Sequence, residues 1–270
     1  MTVADEHVIE WHPARLLQIR DNVPEFALLI LNQPLRNGTS LRSLWKNSSL
    51  RIAADGGANR LHELSSFRGK FANLQAIIGD LDSLTPSVRE FYTSQPTPAQ
   101  VVHDKDQHST DFGKAITWIR KKHPEGIDIV AMGGIGGRLD QGLSQLHHLY
   151  LFQQDDNYAS GRIFLLSGSS LTFLLKSGSH RIHIRGEDDD SSISQNDVFG
   201  KYVGIIPLKE PSRITTRGLQ WDVVDWETQM GGRISTSNHI LPESRVVEVE
   251  TTKDVLFTIA LGRSEGEDDA

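Results

Sequence analysis

The chain has no cysteine in its 270 residues. That absence excludes disulfides, thiolate metal sites, iron–sulfur clusters and cysteine nucleophiles together. Any metal must be held by oxygen or imidazole. Long hydrophobic runs are missing too: even 26–31 and 163–166 are only strand-length, short of the roughly 18 apolar residues a membrane span needs. The N-terminal MTVADEHVIEWHPARLL lacks a basic segment followed by an apolar stretch and a small-residue cleavage site. A cytoplasmic location is therefore the expectation. Basic charge is scarce, with 28 Lys and Arg against 35 Asp and Glu and a formal net charge of −7. Partnership with nucleic acid or an anionic membrane is not expected, and an anionic ligand would need a metal or backbone amides. What remains, 37% hydrophobic and 23% charged residues, is the composition of a folded chain long enough for one large domain or two modest ones.

Short apolar runs closed by turn residues recur at 26–31, 50–54, 74–78, 100–103 and 127–132. Between them the patterning predicts helices at 41–45, 58–64, 86–92 and 111–122, with Thr85 and Thr110 as N-caps, and a further helix at 141–152. This alternation predicts βα units and an open, mostly parallel α/β domain over residues 1–175. Beyond it the segments shorten and alternate, at 180–184, 202–206, 220–224, 246–250 and 255–260. They predict an all-β sandwich over 176–264, with 265–270 as a disordered tail. The acidic, Ser-rich stretch 186–197 is read as a solvated loop, with metal binding as the alternative.

Each strand of the first half runs into small, polar or acidic residues: AADGGANR at 53–60, IIGDLDS at 77–83, HDKDQHSTD at 103–111 and MGGIGGRLDQ at 132–141. Ligands bind beyond the carboxyl ends of strands in open parallel sheets, so these segments are expected to converge on one site. Asp80 and Asp82, two apart on an extended strand end, would face one point. Carboxylates so placed repel unless a cation lies between them, and Mg²⁺ commonly bridges carboxylates to substrate phosphates; the competing reading is that Asp80 and Asp82 cap the helix beginning near Pro86 or shape a turn. Asp55 precedes a Gly56-Gly57 turn, and the glycines before Arg138, Gly136 and Gly137 among them, suggest an amide cradle with a cation beside it. Thr110, Asp111 and Lys114 open a helix from which lysine could turn toward phosphate. Neither a dinucleotide fingerprint nor a Walker pattern fits, and no G-x-S-x-G elbow occurs. His103, His108, His147 and His148 lack zinc-ligand spacing.

AADGGANRL (53–61), IIGDLDSL (77–84), STDFGKAI (109–116) and GGIGGRLDQ (133–141), in this order, resemble the thiamine pyrophosphokinases. GIIPL (204–208), TTRGLQWDV (215–223) and GGRISTSN (231–238) resemble the thiamine-binding part of that family in its eukaryotic form. The resemblance spans about 26–260. It implies a homodimer whose site lies between the α/β domain of one copy and the sandwich of the other, transferring the diphosphoryl group of ATP to thiamine with Mg²⁺. It further implies Asp80, Asp82 and Asp106 as metal ligands, and Asp82, Asp106, Asp111 and Arg138 as catalytic residues. Asp55, Gly56, Asn59, Arg60, Thr110, Lys114, Gly136, Gly137, Asp140 and Gln141 would contact ATP, and Trp221, Ser235, Ser237 and Asn238 thiamine. For Trp221 a place in the sandwich core is the competing reading. The family often shows D-Q-D-x-T-D where this chain has His108 between Asp106 and Asp111, and some relatives carry an aromatic where it has His239 and Ile240. Another Mg²⁺-dependent phosphoryl or nucleotidyl transferase, or a non-catalytic thiamine or nucleotide sensor, are the alternative readings.

Overall fold

A computed structural model of the chain describes residues 8–19, 24–35, 37–68, 70–185 and 198–262. The acidic segment 186–197 and the tail 265–270 lie outside the described residues. In chain order the elements begin with β1 (Val8–Trp11), α1 (Pro13–Leu17), β2 (Phe26–Ile30), α2 (Gly38–Asn47), β3 (Leu50–Ala54) and α3 (Gly57–Arg68). They continue with β4 (Ala76–Gly79), α4 (Pro86–Thr93), β5 (Gln100–His103), α5 (Asp111–Lys122), β6 (Asp128–Met132), α6 (Leu139–Phe152) and β7 (Ile163–Leu166). The remaining described elements are all strands: β8 (Ser170–Leu175), β9 (Gly178–His183), β10 (Phe199–Ile206), β11 (Ser212–Arg217), β12 (Trp226–Thr228), β13 (Ser235–His239), β14 (Val246–Thr251) and β15 (Val255–Leu261). The chain contains two compact units, Pro24–Gly168 and Met1–Val23 with Ser169–Ala270.

In the first unit the strands run β7-β6-β2-β3-β4-β5, every neighbouring pair parallel. Strands β2 (FALLI), β4 (AIIG) and β7 (IFLL) are buried at every position, which is why they read as continuous apolar runs rather than alternating ones: both faces of the sheet are covered. Each fully buried Leu, Ile or Phe side chain there stabilises the fold by about 1.5–3 kcal/mol. Helices α2, α3 and α5 pack on β2, β3 and β4. Strand order reverses between β2 and β6, and the loops after these strands lie at the switch point where such sheets bind ligands. Thr110 caps α5 as expected, its hydroxyl accepting the Gly113 amide at 3.1 Å. Thr85 precedes α4 without a side-chain cap bond; its hydroxyl and amide go to Asn59 Oδ1 instead.

The second unit holds a five-stranded sheet, β1-β9-β14-β11-β12, and an antiparallel arrangement β13-β10-β15-β8. Their inner faces share a core in which the Trp11 ring stacks on Phe173 at 4.6 Å and Phe173 meets Phe257 at 5.3 Å. The α/β unit followed by this β-rich unit is the fold class expected from the sequence.

The division between the units differs from residues 1–175 and 176–264, for two physical reasons. Residues 8–17 go with the β-rich unit because β1 pairs in parallel with β9 and buries Trp11 completely. The Trp11 indole donates to Nδ1 of His180 at 3.1 Å, and the same ring donates from Nε2 to the Lys176 carbonyl at 2.8 Å. Strand β8 goes with it because residues 170–175 pair antiparallel with β15. A second difference is local: 220–224 is a turn, not a strand. Asp222 accepts the Gly218 and Leu219 amides and the Thr216 hydroxyl at 3.0–3.1 Å, and these bonds fold the segment back.

Candidate active site

Three of the expected strand ends converge. Asp55 after β3, Asp80 after β4 and Asp111 at the start of α5 each offer a carboxylate oxygen, and these oxygens lie within 4.8 Å of one another. Local conformation places them. Asp55 sits in the left-handed region at φ 40°, its amide donating to the Ile78 carbonyl of β4 at 2.9 Å. Asp80 donates its amide to Asp111 Oδ1 at 3.2 Å, which fixes the end of β4 against the first turn of α5. An acidic residue in that turn also suits the positive end of the helix dipole.

Two glycines permit this approach. A Cβ on Gly79 would lie 2.8 Å from both Asp111 Oδ1 and Asp55 Cβ, and one on Gly57 would lie 2.3 Å from the Ile30 carbonyl oxygen. The first would push the carboxylates apart, and the second would lift α3 off β2.

The electrostatics are those of a site awaiting positive charge. Lys114, buried on α5, places Nζ 3.3 Å from Asp111 Oδ1 and 4.0 Å from Asp80 Oδ2. One lysine against three carboxylates leaves an excess of negative charge. Burial pushes the Asp55 carboxyl above the usual carboxylate range, assisted by the charges of Asp111 and Asp82 and opposed by the Ser83 amide bonded to its Oδ2 at 3.1 Å. Its other oxygen, Oδ1, is buried with no hydrogen-bond partner among the described residues, an arrangement that costs free energy unless a ligand meets it.

Asp82 and Asp106 lie outside this group. Of the two readings of 80–82, extended strand end or turn, the turn forms: Leu81 adopts φ 64°, and the Asp82 amide folds back to Asp80 Oδ1 at 3.2 Å. Asp82 accepts the Ser83 hydroxyl at 2.9 Å. Asp106 accepts the Ser109 hydroxyl at 2.7 Å and the His108 amide at 2.9 Å, and the Ser109 bond leads the effects that hold its carboxyl below the usual range. Asn59 bridges to the Ser83 carbonyl at 2.7 Å. Arg60 reaches Asn32 at 3.1 Å, and a Cβ on Gly56 would strike the Asn32 side chain at 2.3 Å. The glycine segment after β6 is a loop with Gly133 and Gly137 at φ 81° and 75° and Gly136 at φ 158°. Arg138 and Asp140 are both exposed there and pair with each other, at 2.6 and 3.1 Å, beside an exposed Gln141.

A cleft of about 390 Å³ opens beside Lys114, walled by His108, Thr110, Ser144, His148 and Phe152. Spacing rules written for metals do not find His148, and no motif marks Asn32 and Gln33. The signal that finds the latter pair is the strand-end rule itself, since both follow β2 at the switch point.

The β-rich unit carries a second constellation. Asn238 is buried and clasps the turn before it: its Oδ1 accepts the Trp221 amide at 3.2 Å and its Nδ2 donates to the Trp221 carbonyl at 3.0 Å. The Trp221 ring is 55% exposed, which excludes the core role. Its centroid lies 5.0 Å from that of His239, and His239 lies 5.1 Å from Tyr202. The three rings form an exposed aromatic face. Ser235 stands opposite Ile205 on β10, and Ser237 is exposed with φ 55°.

Comparison with known proteins follows the same division. The family model described as thiamin pyrophosphokinase, catalytic domain, matches residues 41–159, and that described as thiamin pyrophosphokinase, vitamin B1 binding domain, matches 179–256. The chain is 37% identical over 257 residues to thiamine pyrophosphokinase 1 of Arabidopsis thaliana, covering 88% of this chain and 87% of that protein. It is 34% identical over 253 residues to thiamine pyrophosphokinase 3 of Oryza sativa subsp. japonica, covering 87% of each. Among solved structures it is similar to thiamin pyrophosphokinase from Candida albicans, with a TM-score of 0.79, 25% identity, and coverage of 97% of this chain and 96% of that one.

Proposed function

Since the chain belongs to the thiamine pyrophosphokinase family, we propose that it transfers the diphosphoryl group of ATP to the hydroxyl of thiamine, in the cytoplasm, as a Mg²⁺-dependent homodimer. The observation that carries the reading is the group Asp55, Asp80 and Asp111, with a buried Asp55 Oδ1 that has no partner among the described residues and a buried Lys114 beside it. An all-oxygen donor set of this kind fits a hard divalent cation. Asp55, Asp80 and Asp111 would hold it, with Asp82 and Asp106 close in sequence to bind through water or to orient the substrate hydroxyl. The chemistry such a cation would supply there is neutralisation of phosphate charge.

The reaction forms a bond between the thiamine hydroxyl oxygen and the β-phosphorus and breaks the bond from that phosphorus to the α,β-bridging oxygen, so AMP leaves. Negative charge develops on the departing AMP oxygen, and the attacking hydroxyl loses its proton. Lys114 supplies fixed positive charge at the carboxylate group, held in place by Asp111 and Asp80 before substrate arrives, so little reorganisation accompanies the transfer. Arg138, exposed at the N-terminus of α6, is the mobile cation for the outgoing phosphate; to act it must exchange Asp140 for substrate. The exposed Trp221 and Tyr202 rings, with the half-buried His239 between them, offer π-faces to the cationic thiazolium and the pyrimidine. In the homodimer each site takes its carboxylates from one copy and its aromatic face from the other.

The test is to incubate the protein with ATP and thiamine, with and without Mg²⁺, and separate the products by chromatography. Equal amounts of AMP and thiamine diphosphate, formed only with Mg²⁺, are expected. ADP with thiamine monophosphate would replace the reading with a simple kinase, and thiamine binding without product would replace it with a sensor.

A further inference from the structure

We propose that the outward face of the β1–β9 strand pair binds one borderline divalent cation of the Zn²⁺ class through Glu10, His12 and His183. The juxtaposition follows from register. Strands β1 and β9 run parallel with Glu10 opposite Arg181 and Trp11 opposite Ile182, so the next residues along, His12 and His183, fall opposite each other. Side chains two apart share a face of a strand. Trp11 and Ile182 fill the core, which leaves Glu10, His12, Arg181 and His183 on the other side.

The side chains meet there. His183 Nε2 lies 2.6 Å from Glu10 Oε2, and the His12 and His183 rings stack with centroids 4.2 Å apart and planes 17° apart. One ligand atom from each of the three residues lies within 4.8 Å of the others. Glu10 is held for the purpose: its Oε1 is 3.6 Å from the Arg181 guanidinium, which Glu248 anchors from the far side at 3.1 Å. That arrangement occupies Oε1 and presents Oε2 to the imidazoles, the kind of outer contact that orients ligands in metal sites.

Two imidazoles and one carboxylate are the donor set of Zn²⁺ and its first-row neighbours, not of Mg²⁺ or Ca²⁺, which take oxygen. Zn–N bonds of about 2.0–2.1 Å place tetrahedral ligand atoms roughly 3.4 Å apart. Taking up the cation therefore requires side-chain rotation that opens the 2.6 Å contact of His183 Nε2 with Glu10 Oε2 and turns a His12 nitrogen toward the same point. Glu10 and His183 remain partly exposed, so water can complete the shell. Because the ligands come from both strands, a bound cation cross-links residues 10–12 to β9 and ties the N-terminal segment to the sheet. This centre is in the β-rich unit and differs in chemistry from the all-oxygen group of the α/β unit.

The test is calorimetric titration of the full chain with ZnCl₂ in excess MgCl₂, which keeps the carboxylate group occupied, alongside H12A, H183A, E10Q and, as a control at the other site, D80N. One tight equivalent is expected in the unsubstituted protein and in D80N, weakened about tenfold or more in each of the other variants. Zn²⁺ should raise the thermal midpoint of the unsubstituted protein and leave that of H183A unmoved. Circular dichroism checks that the variants fold; should H12A or H183A fail to, E10Q, which keeps both rings, decides by the same titration. Coincident isotherms for the unsubstituted protein and the folded site variants, or binding lost only in D80N, would overturn the proposal.

Discussion

The Thr110 hydroxyl donates to Nε2 of His148 across 2.8 Å while accepting the Gly113 amide, and Nδ1 of the same ring donates to the Ser144 carbonyl at 2.5 Å. The Ser144 carbonyl can only accept, so Nδ1 carries a proton, and burial, which disfavours the charged ring, leaves Nε2 to accept from Thr110. These bonds tie α6, through His148, to the cap of α5, and the residue after that cap is Asp111. The carboxylate group is thus positioned by a histidine that does not touch it.

The pH dependence of stability follows from that bond. Burial lowers the His148 pKa below its ordinary value near 6.5. A depressed pKa means that the unfolded chain takes up a proton before the folded one does, so the stabilisation is complete above pH 6.5 and is lost as pH falls from there through the folded value. Thermal midpoints of the unsubstituted protein and His148→Gln, measured from pH 8 down to pH 5, should converge as the pH falls. The variant should be less stable at pH 8 by about 1–3 kcal/mol, the loss expected when buried polar partners are left unmatched. A constant difference across the range would show that His148 does not titrate between the two states.

Asp55 predicts the opposite sign. Burial raises its pKa, so the folded state holds the proton more tightly than the unfolded one, and stability declines as pH rises through the folded value. Asp55→Asn removes the charge at nearly constant shape and lets the new amide donate toward Asp111. In metal-free neutral buffer the variant should melt above the unsubstituted protein; added Mg²⁺ should narrow or reverse the gap, since only the carboxylate gains from the cation. Differential scanning calorimetry with and without Mg²⁺ measures both arms. A variant that melts lower in metal-free buffer would mean that the Ser83 contact outweighs burial.

Much of this was legible in the sequence, and what was not has physical causes. Parallel strands buried on both faces announce themselves as FALLI or AIIG, and Thr110 with Asp111 announces a helix start. Strand β1 was not readable because VIEW is short, with alternating burial, and its partner β9 lies far along the chain. The regrouping of carboxylates was hidden for a related reason. Spacing suggests that Asp80 and Asp82 act together, yet a positive φ at Leu81, which no propensity favours, turns the chain between them, and it is Asp80 that meets residues from two other strand ends.

Gly79 makes the dependence of the site on backbone approach testable. A methyl group there would lie 2.8 Å from Asp111 Oδ1 and from Asp55 Cβ, so Gly79→Ala must displace the end of β4 from α5. Because the contact is with functional groups, turnover should fall by roughly a hundredfold or more while the fold persists, the scale of loss when preorganised charge is misplaced. Steady-state kinetics on protein shown to be folded by circular dichroism make the measurement. Near-normal turnover would mean that the carboxylates need not be held this closely.

The proposed homodimer makes a prediction that no single variant can test. Asp80 lies in the carboxylate group of the α/β unit and Trp221 in the aromatic face of the β-rich unit. If each site draws one from each copy, Asp80→Asn and Trp221→Ala inactivate sites by removing different halves. Unfolding and refolding the two variants together produces mixed dimers in which one site has lost both halves and the other is intact. Random pairing would then restore about one quarter of the unsubstituted activity, since half of the dimers are mixed and half of their sites are whole. If each site were built within one copy, every site in the mixture would carry a lesion and the activity would stay at the average of the two variants. Sedimentation of the mixture, run beside the assay, separates a failure to exchange subunits from a failure to complement.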